Sequence, residues 1–177
     1  PHTPFHLPPT DLHSQGSLQI DDASISVNPL PYYFAMLEAM DSEMGRLMNS
    51  MSQEDRNNTV IIFIGDNGTP NQVVQEYASL RAKGSVYQGG VNVPMIVSGK
   101  SVNRINDSED ALINTSDLFA TIVDIAGGGS TSINDSQSFM SLFSDSNAPK
   151  REYVYTEIGR DNMTSDYTIR NATHKYI

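Results

Sequence analysis

Apolar residues along this chain fall into three kinds of pattern. Phe34, Leu37, Met40, Met44, Leu47, Met48 and Met51 recur at steps of three and four. That spacing puts them on one side of a helix over about 31–51 and predicts core packing for the stripe. Glu38, Asp41, Ser42 and Arg46 fall outside the stripe and are expected to face water. From Thr59 to Ile64 the run is continuous, β-branched and aromatic. Such a run suits a strand buried on both faces, as in a parallel sheet. Val93 to Val97 reads as a second strand. A helix over 117–126 follows, with Ser116 as N-cap and Leu118, Phe119, Ile122, Val123 and Ile125 facing inward. Gly127-Gly128-Gly129 stops it.

The segments between are less periodic. Residues 1–30 carry Pro1, Pro4, Pro8, Pro9 and Pro29 and read as an extended loop region. Residues 71–82 suit a short helix, and 84–90 a glycine-bearing loop or short strand. Residues 130–150 are loop with one helical stretch near Phe139 to Phe143. The end offers strands at 152–157, 166–170 and 174–177 with no helix between them, which predicts antiparallel pairing in a separate small sheet. The fold class is therefore α/β, with a smaller α+β appendage. The expected division is a larger part over 1–145 and a small antiparallel subdomain over 146–177.

At 177 residues the chain can bury a sizeable core. A net charge of −10 repels phosphate backbones, so nucleic acid is not an expected partner. An anionic substrate would need a local positive site that overcomes this field. There are no cysteines, hence no disulfide framework and no thiolate metal site or nucleophile within the chain. No stretch approaches the roughly 20 apolar residues of a membrane span. Seven Asn-x-Ser/Thr sequons, at Asn57, Asn67, Asn106, Asn114, Asn134, Asn162 and Asn171, fit chance in a chain rich in Asn, Ser and Thr.

Three places carry candidate chemistry. Asp66 and Asn67 follow a buried strand, where ligands sit in open α/β sheets, and Gly68 allows the turn that exposes them. An Asp–Asn pair offers oxygen and suits Ca²⁺ or Mg²⁺ rather than zinc. The bland alternative is an ordinary turn, since these are the commonest turn residues. Lys83, before a glycine-rich segment, would present a point charge to an anion; otherwise it is a solvated lysine. His2, held between prolines in Pro1-His2-Thr3-Pro4-Phe5, would act as acid or base near neutral pH, or else lie idle in a terminal segment. His6, His13 and His174 have no neighbour that suggests a ligand set.

Taken in order, these pieces resemble a known family. They are Pro1 to Phe5; a helix with Met40-Asp41-Ser42-Glu43-Met44-Gly45-Arg46-Leu47; Asn58 to Gly68; Lys83 to Pro94; and Ser116-Asp117-Leu118-Phe119-Ala120-Thr121 to Gly127. The ending, Ile169-Arg170-Asn171 to Ile177, is similar to the family's C-terminal strand pair. The chain resembles the C-terminal part of a type I sulfatase of the alkaline-phosphatase-like superfamily, arylsulfatase-like. Support is thinnest over 8–30 and 130–150.

The resemblance implies a mainly parallel sheet flanked by helices, an alkaline-phosphatase-like sandwich, and hydrolysis of sulfate esters with a formylglycine nucleophile and Ca²⁺. It implies that Asp66 and Asn67 are metal ligands, that Lys83 contacts the sulfate, and that His2 contacts the sulfate and protonates the leaving oxygen. Asp41, Gly45, Asp117 and Thr121 match family positions that look structural. The substrate would be a small sulfate ester or a sulfated glycan, and the location periplasmic or secreted, or lysosomal in a eukaryote. Gln88 and Asn92 stand where the family often has Glu and Arg. The nucleophile motif, C/S-x-P-x-R, and the first pair of metal-binding aspartates are expected upstream of Pro1. Alone, the chain would then hold half a metal site and be inactive, with an exposed sheet edge that favours self-association. Two alternatives stand beside this. A phosphodiesterase, phosphonate hydrolase or phosphoethanolamine transferase of the same superfamily would usually carry Asp-His at 66–67. A non-catalytic module could keep the fold without the chemistry.

Overall fold

The computed structural model describes residues 1–129, 134–159 and 164–177. By contact the chain forms two compact units, one of residues 1–56 and 67–92, the other of 57–66 and 93–177.

In the first unit the proline-bearing start runs extended, with a 3-10 turn at Thr10–Leu12 and a short helix α1 (Asp22–Val27). The reading of 1–30 as loop missed α1. Its signal is Asp21 three residues before Ser24: the Asp21 carboxylate accepts the Ser24 amide at 2.8 Å and its hydroxyl at 2.7 Å. Helix α2 (Pro29–Ser50) follows, with Pro29 in its first turn, and α3 (Gln53–Asn57) closes the segment.

The face that α2 buries is not the methionine stripe. Tyr32 and Ala35 are buried, and Leu30, Tyr33 and Met36 pack with Phe5, Leu7, Leu18, Ile25 and Val73. Met40, Met44 and Met48 are half-buried and Leu47 is 64% exposed. The N-terminal half of α2 carries the core because the segment before it folds back there. Tyr32 donates its hydroxyl to the Gln19 carbonyl at 2.9 Å. Glu38, expected in water, accepts from the Ser14 amide, the Ser14 hydroxyl and the Gln15 side chain, which lowers its pKa and straps residues 14 and 15 to α2.

The expected helix over 71–82 is absent; these residues form successive turns. Leu80 takes φ 72°, and Asn71 bonds backbone on the far side of the loop, where a helix would need its groups free. The one short helix among the described residues of 67–92 is α4 (Gln88–Val91), beyond the expected span.

In the second unit β1 (Val60–Ile64) pairs β2 (Met95–Gly99) antiparallel, Val60 opposite Gly99 and Ile64 opposite Met95. This corrects the expected mainly parallel sheet: every ladder among the described residues is antiparallel. A continuous apolar run specifies burial on both faces, not strand direction. Each residue of β1 is half-buried here, with one partner strand.

Helix α5 (Asp117–Ile125) ends before Gly127, whose φ of +80° suits a glycine stop. Ser116 does not cap it. Its backbone is already helical and its hydroxyl is buried without a partner, while the Asp117 carboxylate takes the Asn114 amide at 2.9 Å. Of the residues expected to face inward, Leu118 and Ile125 pack on the core, but Phe119 and Ile122 are 51% and 57% exposed. The buried side of α5 is Asp117, Ala120 and Thr121. It forms a polar seam: Ser136 accepts the Ala120 amide and donates to the Ser116 carbonyl, and Thr121 accepts the Phe139 amide and donates to the Asp117 carbonyl. The apolar core of this unit centres on Phe139, Leu142, Phe143 and Ala148, with the 3-10 turn Met140–Phe143 at the expected place.

The tail forms the expected antiparallel sheet in the order β3 (Val154–Gly159), β4 (Ser165–Arg170), β5 (Lys175–Tyr176). The sequon at Asn162 lies outside the described residues. Among the described residues no helix is long and apolar enough to cross a membrane.

Two ion-paired carboxylates, Asp117 and Glu109, help to fasten the second unit. Arg151 meets Asp117 with both partners nearly closed off from water, and Asp117 also accepts the Gln137 amide at 2.8 Å. Replacing Arg151 by alanine leaves that carboxylate buried and short of a partner. The expected loss is about 3–5 kcal/mol in urea unfolding. Arg46→Ala, which breaks an exposed pair with Glu43, should leave the midpoint unmoved. At the second carboxylate Lys150 and then Arg104 hold the Glu109 group down to about 2 from its usual 4.5. The folded pKa is depressed, so this stability is complete above pH 4.5 and fades as pH falls toward 2. Thermal unfolding midpoints should drop across that window, and Glu109→Gln should flatten the drop.

Candidate functional site

Strand β1 delivers the chain to Gly65, whose amide bonds the Pro94 carbonyl at 3.0 Å and extends the pairing by one residue. A methyl at Gly65 would sit 3.2 Å from Pro94 and Val93 side chains, so the ladder and the prolyl turn close tightly here. Asp66 follows, exposed, with no hydrogen bond to its carboxylate among the described residues. Asn67, half-buried, is the first residue of the other unit's loop, which runs to Asn92.

That loop crosses itself. The Gly68 amide donates to the Gly90 carbonyl at 3.0 Å. A Cβ built on Gly68 would lie 2.0 Å from the Gly89 carbonyl oxygen and 2.6 Å from Gly90 Cα. A Cβ on Gly90 would lie 2.1 Å from the Ser85 carbonyl. Backbone meets backbone with no room for side chains, which is why glycines stand at these positions.

The crossing brings the Lys83 stretch beside the residues after Asn67. The Lys83 amide donates to the Thr69 carbonyl at 3.0 Å, and the Asn71 side-chain amide donates to the Lys83 carbonyl at 3.5 Å. Ala82, Ser85 and Val86 around it are buried, and Lys83 itself is half-buried. Arg81 lies over the Tyr87 ring, 4.7 Å from its centroid.

His2 is exposed, and its Nδ1 hydrogen-bonds the Thr3 carbonyl. A carbonyl only accepts, so in this contact Nδ1 is the donor. Phe5, three residues on, anchors the segment: it is buried in one cluster with Tyr32 and with Val73 of the 67–92 loop.

His2, Asn67 and Lys83 thus belong to one unit, and Asp66 adjoins Asn67 through a peptide bond. No hydrogen bond joins the side chains of His2, Asn67 and Lys83. Among the described residues no three His, Asp or Glu side chains are grouped to hold a metal ion. A groove in the same unit, lined by Asp11, His13, Leu37, Glu38, Asp41 and Ser42, contains none of the predicted residues. Sequence reasoning overlooked Asn71 and gave Gly89 and Gly90 no role. The Thr-Pro-Asn turn after Gly68 and the Gly-Gly pair were the available signals.

The profile of the Sulfatase family matches residues 1–129. A sulfatase of Formosa agariphila is 32% identical over 109 residues, covering 54% of this chain and 19% of that protein. An ulvan-active sulfatase of the same organism is 26% identical over 141 residues, 78% of this chain and 22% of its own length. Mouse arylsulfatase K is 24% identical over 155 residues, 82% of this chain and 27% of its own. The chain therefore spans about a fifth to a quarter of these relatives.

The crossing makes its own prediction. Gly68→Ala must push the Gly89–Gly90 backbone away, so the Gly68 and Lys83 amides should lose protection in hydrogen exchange and the melting temperature should fall. Gly45→Ala is the contrast. A methyl there meets nothing within 4 Å, and the substitution should stabilise α2 by up to about 1 kcal/mol.

Proposed function

The chain belongs to the sulfatase family, and we propose that the whole protein hydrolyses sulfate esters. In this reading Lys83 sets a point charge against the sulfuryl oxygens, where negative charge grows as the ester bond breaks. His2 protonates the leaving oxygen through Nε2, with Nδ1 occupied by the Thr3 carbonyl. Asp66 and Asn67 hold a hard cation, Ca²⁺ in preference to Mg²⁺. The donor set fits such an ion in kind, being all oxygen with an uncommitted carboxylate, and supplies two of the six to eight ligands that Ca²⁺ takes. Bound there, the cation would polarise the sulfate oxygens. The remaining ligands and a formylglycine nucleophile would come from residues outside this chain, in which no C/S-x-P-x-R motif occurs. The chain alone is then inactive.

The observation that supports the reading is the loop crossing. It ties the Lys83 backbone to Thr69, two residues past Asn67. A net charge of −10 would otherwise disfavour any anionic substrate, so a cation held at a fixed place matters. Two of the relatives are named ulvan-active sulfatases, and a sulfated polysaccharide is the substrate class we favour over a small aryl sulfate. An exported enzyme, periplasmic or secreted, suits such a substrate. When the chain is isolated, the unpaired edges of the β1–β2 ladder favour self-association.

The test is turnover of an aryl sulfate and of the matching aryl phosphate by the full-length protein. Sulfate turnover should exceed phosphate turnover, Lys83→Ala and His2→Ala should each lower kcat/KM by roughly 100-fold or more, and Asp66→Ala should raise the Ca²⁺ needed for activity. Preference for the phosphate ester would replace sulfuryl by phosphoryl chemistry as the protein's reaction. Full activity in Lys83→Ala would remove the assigned site.

A further inference from the structure

We infer that Asn71 is a positioning residue for Lys83, fastening the lysine where the substrate's sulfate is bound; this rests on the role proposed above for Lys83. The stretch from Asn67 to Tyr87 has no helix or strand to hold it. Its shape is kept by a few hydrogen bonds, and Asn71 makes two of them with one side chain. Its Oδ1 accepts the Leu80 amide at 3.0 Å, and its Nδ2 donates to the Lys83 carbonyl at 3.5 Å. The Lys83 amide is taken by the Thr69 carbonyl. Both backbone groups of the lysine are therefore held by residues of one short segment, Thr69 to Asn71, just after Asn67.

Asn71 does this without being part of the core. It is exposed, while the core of the loop lies in Val73, Ala82 and Val86. Leu80, its other partner, is exposed and sits at φ 72°, a conformation that costs energy for a leucine and that the Asn71 bond helps to hold. Removing the Asn71 side chain should leave the unit folded and release the 79–83 turn. The lysine would then reach the sulfate from a scattered set of backbone positions. The two functions of the amide can also be separated. Asn71→Asp keeps an acceptor for Leu80 and loses the donor to Lys83.

The experiment is steady-state kinetics of the full-length enzyme on an aryl sulfate, with inhibition by free sulfate measured alongside. Loss of one backbone-fixing hydrogen bond corresponds to about a fivefold change. Asn71→Ala should raise both KM and the sulfate inhibition constant by about that factor, with kcat changed less. Asn71→Asp should do the same despite keeping the Leu80 contact, with its melting temperature close to the parent's. In a Lys83→Ala background, Asn71→Ala should change neither constant further. If the two substitutions instead multiply, Asn71 acts elsewhere and the inference falls while the lysine's role stands. A lower melting temperature with unchanged KM would likewise reduce Asn71 to a structural residue. If Lys83→Ala alone leaves KM and sulfate inhibition unchanged, the lysine's role fails and takes this inference with it.

Discussion

Where Gly68 passes Gly89 and Gly90, two stretches of backbone touch with nothing between them, and a single methyl on Gly68 would overlap a carbonyl oxygen. The loop from Asn67 to Asn92 depends on this contact because it has little else. Between Gly68 and Tyr87 it forms only turns, and most of its residues up to Arg81 are exposed. A surface loop of that length needs internal fixings if it is to hold a side chain at a constant place. The glycine crossing supplies one, the amide of Lys83 on Thr69 a second, and Asn71 a third. The buried Val73, Ala82 and Val86 add the apolar share, with Val73 in the cluster that also seats Phe5. Through Val73 the loop that carries the proposed lysine thus reaches the cluster that seats Phe5, and no hydrogen bond joins the lysine and histidine side chains.

The second unit solves its packing in a different currency. Helix α5 is short, and two of its largest apolar residues, Phe119 and Ile122, lie largely in water. Its inner side is instead Asp117, Ala120 and Thr121, joined to residues 135–139 by hydrogen bonds and to Arg151 by an ion pair. Such a seam is directional. Apolar packing tolerates small slips of a helix, whereas the Asp117 carboxylate receives the Asn114 amide, the Gln137 amide and the Arg151 guanidinium from three directions. The register of α5 against the start of the tail is set by those groups more than by its leucines and isoleucines.

This difference explains what could be read from the sequence and what could not. Strong periodicity over many residues located α2 to within two residues at its start, and β-branched runs located β1, β2 and the tail strands. The absence of helices between the tail strands also disclosed their antiparallel pairing. Periodicity did not disclose which side of α2 meets the core, because that depends on where residues 1–20 fold back. Nor did it disclose the direction of the β1–β2 pair, since a run apolar on both faces is silent about its partners. The helix expected over 71–82 failed for a local reason: Asn71 and Pro70 favour turns, and the apolar residues there are too sparse to outweigh them. Ser116 looked like a cap because serine often is one, but its backbone is already helical, and the Asp117 carboxylate reaches back to the Asn114 amide before the helix instead. Asp66, Asn67, Lys83 and His2 each had an ordinary reading on residue type, as turn, solvated lysine or idle terminal histidine, and became site candidates only through the order of motifs that resembles the sulfatases. For Asn71 the sequence offered only a turn signal, Thr69-Pro70-Asn71, and not its partners, which are backbone groups of Leu80 and Lys83.

A lysine is a flexible choice for anion binding. Its ammonium is a point charge at the end of four methylenes, with about 2 kcal/mol of rotamer entropy to lose. Arginine would bring a preformed fork. Fixing the backbone at Lys83 by both its amide and its carbonyl restricts the base of that stem without restricting its tip. The sulfate's orientation must then come from elsewhere, and in the proposed site that is the task of the oxygen-bound cation and of His2. The field of the whole chain sharpens the requirement. With 21 acidic against 11 basic side chains, an anion approaching at random is repelled. Of those basic groups, Arg46, Arg104, Lys150 and Arg151 are already paired with carboxylates. In the proposed site the turns around Lys83 hold its backbone by hydrogen bonds to neutral backbone and amide groups, and no ion pair among the described residues engages its ammonium. On the proposal made above for Lys83, such neutral fixings leave its charge for the substrate.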